Sequence, residues 1–249
     1  MALLKVNHVW LNYNHNNEKF TVLKDISFEV HERDFVCIVG PSGCGKSTLL
    51  RCITGLIKPS SGSVLFKETP VDPSNPQISL VFQNFALLPW LTVEQNISLP
   101  LEAMKLPKDE IEKRLKKFIS VVGLEGFENA YPKEISGGMK QRVGIARALA
   151  INPLLLCMDE PFSSLDPLTA ENLREELLML WEDDSLPPDA VIMVTHNIEE
   201  AVSLADRIIV FSHRPATLLA DIKIDMPRPR NKKSSEFYNY VDKIYSLIT

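Results

Sequence analysis

The sequence lacks several features that would assign it to particular classes of protein. It has no apolar run long enough to cross a bilayer, so we expect no transmembrane helix. Its first residues contain too short an apolar stretch for a signal peptide, which predicts that the chain stays in the cytosol. Its four cysteines form no C-x-x-C pair, which argues against a zinc site and suits a reducing compartment.

The sequence also has fewer basic than acidic residues. The chain has 27 Lys and Arg residues against 32 Asp and Glu, a formal net charge of -5, which gives no support to nucleic-acid binding as its main task. We interpret the local basic runs at Lys113–Lys117 and Arg228–Lys233 as a solvated helix face and a solvated tail. There is no low-complexity linker and no heptad arm. The 249 residues, 45% of them hydrophobic, suffice for one large core with a smaller attached subdomain.

What the sequence does contain is a complete phosphate-binding loop. Residues 40–47 read Gly-Pro-Ser-Gly-Cys-Gly-Lys-Ser and fit the G-x-x-x-x-G-K-[ST] pattern at every position. The apolar residues 35–39 before it predict a buried strand, and a helical pattern begins near Lys46. The glycines let backbone amides approach a phosphate. Lys46 then reaches the β- and γ-phosphates, and the Ser47 hydroxyl suits Mg²⁺. A chance glycine-rich turn would lack this strand–loop–helix context.

The same loop contains a cysteine. Cys44 lies among backbone amides and next to Gly45 and Lys46, a positive environment that predicts a thiolate-forming, reactive side chain that a bound nucleotide would protect. The alternative is that Cys44 is a small packing residue. Cys37 and Cys157 fall in predicted strands and are expected to be buried.

Strand and helix patterns alternate along most of the chain, which predicts an α/β fold with a mostly parallel sheet. We predict strands at 3–10, 20–30, 35–39, 64–66, 78–82, 154–158, 190–195 and 207–211, with the polar segment Asn12–Lys19 joining the first two. Helical patterns dominate from about 84 to 150, which indicates an insertion into the sheet. Helix starts are predicted after Pro107, at Ser136, at Asp166 and at Asn197, and a short terminal helix at 238–248.

Two adjacent carboxylates close a predicted apolar strand. Asp159 and Glu160 stand at its carboxyl end, which faces the ligand crevice in an open α/β sheet. We expect Asp159 to hold Mg²⁺ through water or Ser47. Glu160 is then placed to orient or deprotonate a water that attacks the γ-phosphorus. The alternative is a pair of solvated acids after a strand.

A second anion-binding motif begins at Ser136. Ser136-Gly137-Gly138 at a helix start offers a hydroxyl, free amides and the positive end of the helix. Because the chain already has one phosphate loop, two such half-sites suggest a head-to-tail pair in which each chain completes the other's site. Taken alone, the motif could be an ordinary helix cap.

Taken together and in this order, these residues resemble the ATP-binding subunits of ABC transporters over about residues 3–220. Residues 40–48 match the Walker A loop, Gln83 the Q-loop glutamine, and residues 136–140 the signature motif. Residues 159–160 match Walker B with the catalytic carboxylate, residues 164–166 the D-loop, and His196 the switch histidine. Tyr13 matches the aromatic that stacks on adenine, with Trp10 and Phe20 as nearby aromatics.

The resemblance implies an α/β fold: a P-loop NTPase (RecA-like) core with an antiparallel β subdomain and an inserted α-helical subdomain. Residues 1–83 and 151–220 would form the nucleotide-binding core, residues 84–150 the helical subdomain and residues 221–249 a short C-terminal tail.

The resemblance also implies ATP and Mg²⁺ as cofactors and assigns roles to residues. The catalytic residues would be Glu160, His196, Gln83 and Lys46, and the metal ligands Ser47, Gln83 and Asp159. The nucleotide would contact Tyr13, Gly40, Pro41, Ser42, Gly43, Cys44, Gly45, Lys46, Ser47, Thr48, Ser136, Gly137, Gly138 and Asp166.

The sequence Leu-Leu-Pro-Trp at residues 87–90 resembles the nitrate, aliphatic sulfonate, taurine, bicarbonate and pyrimidine-precursor importers. This branch implies a homodimer at the cytoplasmic face of the inner membrane that binds transmembrane permease subunits and is served indirectly by a solute-binding protein. No nucleic-acid partner is implied. Trp90 would either line the cleft for a permease helix or pack in the core.

Two soluble classes of ABC ATPase are the alternatives. A protein of translation would carry two cassettes, and this chain has one. An ATPase of DNA maintenance would need a long coiled-coil insertion, and the sequence has no heptad pattern that predicts one.

Overall fold

The computed structural model describes residues 2–15, 18–183 and 185–248, in two compact units. The first unit contains residues 1–75 and 189–249, and the second contains residues 76–188. In chain order the strands are β1 (Ala2–His15), β2 (Glu18–His31), β3 (Phe35–Val39), β4 (Ser61–Phe66), β5 (Thr69–Pro70), β6 (Ile78–Val81), β7 (Leu155–Asp159), β8 (Ala190–Thr195), β9 (Arg207–Phe211) and β10 (Leu218–Lys223). The helices are α1 (Lys46–Ile53), α2 (Val93–Ala103), α3 (Lys108–Val121), α4 (Gly137–Ala150), α5 (Pro167–Glu182), α6 (Ile198–Leu204) and α7 (Ser235–Ile248), and a 3-10 turn lies at Pro132–Glu134.

An antiparallel sheet in the first unit has the strand order β2-β1-β4-β5. The first two strands are longer than predicted, because their pairing continues to His15 opposite Glu18. Most of the polar segment predicted to connect them is therefore strand, since ladder hydrogen bonds come from the backbone and tolerate polar side chains. Asn16 and Asn17 of that segment lie outside the described residues.

A register shift in β1 explains why its apolar pattern does not alternate simply. The shift lies between Val6 and Val9. Apart from Leu3, the buried side chains change there from even positions, such as Leu4, to odd positions, such as Leu11. A bulge that adds a residue to one strand has this effect, because side chains alternate between faces with a period of two.

The parallel strands of the first unit position its part of the site. β3 lies between β8 and β9 and runs parallel to both, and every residue of β3 and β8 is buried. Strands covered on both faces are expected to be apolar throughout, as these are except for Thr195 at the end of β8. β10 was not predicted; it is an edge strand antiparallel to β9 whose residues alternate in exposure.

The second unit contains a parallel pair of strands, β6 and β7, and most of the helices. The helix predicted after Pro107 is confirmed as α3, and Leu115, Phe118 and Ile119 bury one of its faces. α2 was not predicted individually, because Pro100 interrupts its pattern. It begins with a capping box in which the Thr92 hydroxyl accepts from the Gln95 amide.

The C-terminal segment differs from the expected solvated tail. The terminal helix is confirmed as α7, and Phe237, Val241 and Ile244 bury one of its faces. Arg228 and Arg230 donate hydrogen bonds to backbone carbonyls of the first unit, so the interpretation of this basic run as solvated is wrong for these two residues. Among the residues that the model describes, no helix combines the length and the apolar character needed to cross a membrane.

Candidate active site

The phosphate loop follows β3 and leads into α1, as predicted. A Cβ at Gly40 would lie 2.9 Å from the carbonyl oxygen of Phe211. Gly45 has φ of 127°, and a Cβ there would lie 2.9 Å from Cγ1 of Val22. Both positions therefore require glycine, one for space and the other for space and conformation. The loop therefore packs closely against β9 and β2 and forms a cradle of backbone groups around Lys46. Such a loop can offer its backbone amides to a phosphate.

Lys46 is the first residue of α1 and points back into the loop. Its Nζ donates to the carbonyl oxygens of Gly40 at 2.8 Å and Pro41 at 3.0 Å, and the residue is only 4% exposed. The ammonium group therefore lies inside the cradle rather than in solvent. A cation there, beside the positive end of a helix, favours a polyanion.

Cys44 does not have the environment expected from the sequence. It is 2% exposed, and burial raises the pKa of its thiol although Lys46 acts in the opposite direction. The prediction of a lowered pKa is therefore wrong, because desolvation of the thiolate outweighs the positive field of the loop. The burial expected for Cys37 and Cys157 is confirmed.

His196 and Tyr13 are the other candidate residues of the first unit. His196 is exposed and directly follows β8, at the same sheet edge as the phosphate loop, because β3 and β8 are parallel. Asn197 begins α6 as predicted, with its side chain accepting from the amide of Glu200. Tyr13 is 42% exposed and lies opposite Phe20 in the ladder, so both rings project from the same face.

The second unit brings Gln83 and Glu160 together. Nε2 of Gln83 lies 3.4 Å from Oε2 of Glu160 and 3.3 Å from the hydroxyl oxygen of Ser163. The Ser163 hydroxyl in turn donates to the carbonyl of Glu160 at 3.0 Å. Glu160 has φ of 45°, an uncommon left-handed conformation for a residue with a side chain. Asp159 is the last residue of β7 and is buried.

Ser163 was not among the predicted site residues. The signal available in the sequence was a hydroxyl three residues after the second carboxylate, in a turn where it can bond back to that residue's carbonyl. In the structure it supports both Gln83 and the backbone of Glu160. We infer that it restricts the orientations of both side chains.

The motif at Ser136 caps α4. The Ser136 hydroxyl accepts from the amide of Met139 at 3.2 Å, and Ser136 and Gly137 are exposed. Gly138 is buried, and a Cβ there would lie 2.6 Å from Cγ2 of Thr169. The predicted helix start is confirmed, and the second glycine is explained by close packing of α4 on α5.

Asp166 is the N-cap of α5, as predicted. Its carboxylate accepts from the amide of Thr169 at 3.0 Å, and hydrogen bonds with Thr169 lower the pKa of the carboxyl group. A carboxylate at a helix start is also favoured by the helix dipole. Asp166 therefore stays ionised at neutral pH and is exposed to a ligand or a partner.

Two side chains hold the segment that follows Gln83. Arg147 of α4 donates to the carbonyls of Phe85 at 2.9 Å and Ala86 at 2.8 Å, two residues with positive φ. Asn96 of α2 is fully buried and bonds both backbone groups of Leu88 as well as two further carbonyls of residues 91 and 92. The segment is thus fixed by side chains that bind backbone atoms.

Trp90 lies in this fixed segment and is 68% exposed. The interpretation of Trp90 as a core residue is therefore wrong. An apolar groove in the same unit is lined by Phe82, Ala86, Leu99 and Pro100 with the guanidinium-bearing Arg147. A large exposed ring and an apolar groove are each features of surfaces that bind other proteins.

Comparison with known proteins agrees with the motifs. The family model described as "ABC transporter" matches residues 23–163. The chain is 43% identical over 234 residues to a bicarbonate transport ATP-binding protein of Synechocystis, covering 93% of this chain and 82% of that protein. It is 39% identical over 241 residues to an aliphatic sulfonates import ATP-binding protein of Bacillus cereus, covering 97% and 94%.

A solved structure is similar in fold as well as in sequence. It is a dimeric post-hydrolysis state of an ATP-binding cassette bound to ADP and Pi, with a TM-score of 0.78 and 34% identity over 90% of this chain and 100% of that one. The expected P-loop α/β fold and the resemblance stated from the motifs are therefore confirmed. This chain belongs to the ABC transporter family of ATP-hydrolysing, ATP-binding subunits.

Proposed function

We propose that the chain powers import of a small solute through a membrane ABC transporter, with a cargo of the nitrate, sulfonate, taurine, bicarbonate or pyrimidine-precursor class. Support for the cargo class comes from relatives that are named for bicarbonate and for aliphatic sulfonates. The observation that carries the ATPase function is the phosphate loop, where required glycines surround the inward-pointing Lys46.

The proposed phosphate-binding role rests on the loop from Gly40 to Thr48. Its amides and Lys46 would bind the β- and γ-phosphates, and the ammonium group would exchange its two carbonyl acceptors for phosphate oxygens. Tyr13 would stack on the adenine, since its ring is exposed on the sheet of the same unit.

Mg²⁺ is proposed as the metal on the chemistry of its donors. Ser47, Asp159 and Gln83 offer hydroxyl, carboxylate and amide oxygens, the ligands that this hard cation prefers. When bound, the ion would neutralise phosphate charge.

Glu160 is proposed as the base for the attacking water. Its carboxylate would take a proton as the water oxygen bonds to the γ-phosphorus and the bond to the bridging oxygen breaks, which releases ADP and phosphate. Gln83 and Ser163 would orient the carboxylate, and His196 would contact the γ-phosphate.

The partners are proposed from the second anion motif and the exposed segment around Trp90. Ser136, Gly137, Gly138 and Asp166 would face the ATP of a second copy, so that the chain works as a homodimer; the similar cassette noted above is dimeric. The groove and Trp90 would receive a helix of a transmembrane permease subunit at the cytoplasmic face of the inner membrane, and a solute-binding protein would deliver cargo. Residues 84–150, in which the structure has only helices and connecting segments, would form the helical subdomain.

Changing Glu160 to Gln tests the proposed chemistry. The amide keeps the size and much of the hydrogen bonding of the carboxylate but cannot act as the base, so we expect ATP turnover to fall by about two or more orders of magnitude. ATP binding should persist, and an ATP-bound dimer should accumulate, which size-exclusion chromatography with Mg-ATP would detect.

The matched control is Glu182→Gln, an exposed carboxylate at the end of α5, which should leave turnover unchanged. Near-normal hydrolysis by Glu160→Gln in the assembled transporter would refute the assigned role. Isolation of the chain with ribosomes or DNA, rather than with a multi-span membrane subunit, would instead support the two soluble alternatives.

A further inference from the structure

The chain after β10 returns to the C-terminal end of α6. There Arg228 donates to the carbonyl of Leu204 through Nε at 3.1 Å and Nη2 at 2.5 Å. Arg230 donates through Nη1 to the carbonyls of Val202 at 2.7 Å and Ala205 at 2.6 Å. Two guanidinium groups thus bind three carbonyls around the last turn of one helix.

These contacts satisfy groups that a helix end normally leaves open. The last carbonyls of a helix have no partner within it and carry its negative partial charge, which favours cations. The two guanidinium groups nevertheless repel each other. Burial, followed by the positive charge of Arg228, lowers the pKa of Arg230 to about 10. Asp206 compensates in part, since its carboxylate lies 2.8 Å from Nη2 of Arg228. The planar guanidinium forks fix direction as well as distance, which makes the pair a rigid clamp.

The helix held by this clamp begins next to His196. α6 has seven residues, about two turns, so its own hydrogen bonds do little to fix its orientation. At its N-terminal end the Asn197 amide donates to the Thr195 hydroxyl at 3.0 Å, which ties the helix to the end of β8. At its other end Arg228 and Arg230 hold it. A shift at either end of so short a rigid element would displace His196.

The clamp also contacts the strand that leads to the phosphate loop. Asp206, which pairs with Arg228, accepts from the amide of Phe35 at 3.0 Å and donates its own amide to the Phe35 carbonyl at 2.8 Å. The Arg228 guanidinium also lies 6.0 Å from the centre of the Phe35 ring. Phe35 is the first residue of β3, which ends at Val39, directly before Gly40. One cluster therefore touches both the helix behind His196 and the strand before the phosphate loop.

We propose that Arg228 and Arg230 are positioning residues for ATP hydrolysis, which fix α6, and through it His196, relative to the phosphate loop. The C-terminal segment is then a working part of the ATPase rather than an inert tail. The proposal rests on the proposed contact between His196 and the γ-phosphate. It predicts that loss of the clamp affects turnover and spares ATP binding.

The experiment compares purified full-length variants by kcat, by the Kd for a fluorescent ATP analogue and by thermal unfolding. Arg230→Met removes the donors and keeps the length of the side chain. We expect kcat to fall by about ten- to a hundredfold, the scale of a misplaced catalytic group, with Kd within about twofold of the parent. Lys233→Met removes an exposed cation of the same tail and should change neither quantity.

A double variant separates positioning from a general structural effect. Because Arg230 acts through His196, adding Arg230→Met to His196→Ala should lower kcat no further than His196→Ala alone. A further loss in the double variant, or a parental kcat in Arg230→Met, would overturn the proposal. So would a Kd for ATP that rises in parallel with the loss of kcat.

Two further outcomes keep the test decisive. If Arg230→Met does not fold, Arg230→Lys takes its place, because a single ammonium cannot reproduce the fork on two carbonyls; parental kcat in that variant overturns the proposal. If His196→Ala itself keeps full turnover, the role proposed for His196 fails and the clamp proposal falls with it. Full turnover of the Arg230 variants beside an inactive His196→Ala refutes the clamp alone.

Discussion

The phosphate loop places two reactive side chains in very different electrical environments within three residues. Lys46 is buried as a cation, and carbonyls of Gly40 and Pro41 satisfy it. The Cys44 thiol is buried too, but burial raises its pKa, which leaves it protonated. A buried polar group is stable only where hydrogen-bond partners replace water, and the loop supplies two carbonyl acceptors for Nζ of Lys46. Desolvation dominates at Cys44 and disfavours the thiolate.

Cys44 should therefore react slowly with thiol reagents. Each unit by which its pKa is raised lowers the thiolate fraction at neutral pH about tenfold, and the shielded sulfur is hard to reach. We expect mass-spectrometric mapping after maleimide treatment to find little label on Cys44, with or without Mg-ATP. The three other cysteines are also buried, so unfolding in urea should expose all four and serves as the positive control.

Fast labelling of native Cys44 at the rate of a free thiol would contradict this expectation. If Mg-ATP also protected a fast-reacting Cys44, the result would support the reactive thiol that the sequence predicts. The Cys44→Ser variant identifies the site in either case, since it should take up one label fewer after unfolding.

At the scale of elements, the segment from Gln83 to Thr92 shows how a loop is made rigid without secondary structure of its own. Arg147 holds its two residues with positive φ, and Asn96 holds its second half through four hydrogen bonds. Trp90 then projects from a fixed backbone. A rigid loop with one large exposed ring is suited to transmit contact with a partner to Gln83 at its start.

Asn96 and Trp90 make a matched pair of substitutions in this segment. Asn96→Ala removes four part-buried hydrogen bonds to backbone groups, so we expect the free energy of unfolding to fall by about 3 kcal/mol. Trp90→Ala removes a larger side chain, but that side chain is mostly in solvent. The substitution should therefore change the free energy of unfolding by less than about 0.5 kcal/mol. Urea denaturation of the isolated chain measures both.

The Trp90→Ala variant also tests the proposed permease contact. With Trp90→Ala, basal ATP hydrolysis by the isolated chain should persist while assembly with the permease or cargo-stimulated turnover falls. A loss of several kcal/mol with Trp90→Ala would mean that the ring is packed after all. Unchanged transport beside the expected unchanged stability would refute the permease contact.

Sequence patterns predicted the elements that have strong local signals and missed those that depend on neighbours. The caps at Ser136, Asp166 and Asn197 were predicted because a capping side chain bonds within its own turn. β10 was missed because an edge strand needs only a partner backbone, here that of β9. The extension of β1 to His15 was missed for the same reason.

The same distinction separates the predicted parts of the site from the missed ones. Gln83 and Glu160 belong to sequence motifs whose residue types carry the chemistry, and the structure places the two side chains 3.4 Å apart. Arg147 and Arg230 act on carbonyl oxygens. Every residue has a carbonyl, so no pattern of side chains reveals which ones an arginine will bind.

At the scale of the whole molecule, each chain carries two half-sites that face different ligands in the proposed dimer. The phosphate loop belongs to the first unit and the exposed Ser136 cap to the second. A head-to-tail pair uses each half-site once per composite site. Damage to the two half-sites should therefore fall on one composite site when the two changes are on different chains, and on both composite sites when they are on the same chain.

Mixing two inactive variants tests this arrangement. Lys46→Ala should weaken phosphate binding itself. Ser136→Arg should leave nucleotide binding intact but place a bulky cation where the partner's ATP would lie, at the loss of a helix cap worth about 1 kcal/mol. Ser136→Asn keeps the cap without that bulk and controls for the folding of α4 by thermal unfolding.

Each mixed dimer would contain one composite site damaged twice and one that is intact, so we expect the mixture to regain ATP hydrolysis that neither variant shows alone. If no ratio restores activity, cysteines introduced at Ser42 and Ser136 decide the cause; the native thiols are buried and should not compete for the crosslinker. An ATP-dependent crosslink between chains would mean that the shared sites exist and that both must be intact for ATP hydrolysis. Absence of both the crosslink and the recovered activity would refute the shared-site dimer, because Ser136 would then lie away from the partner's phosphate loop.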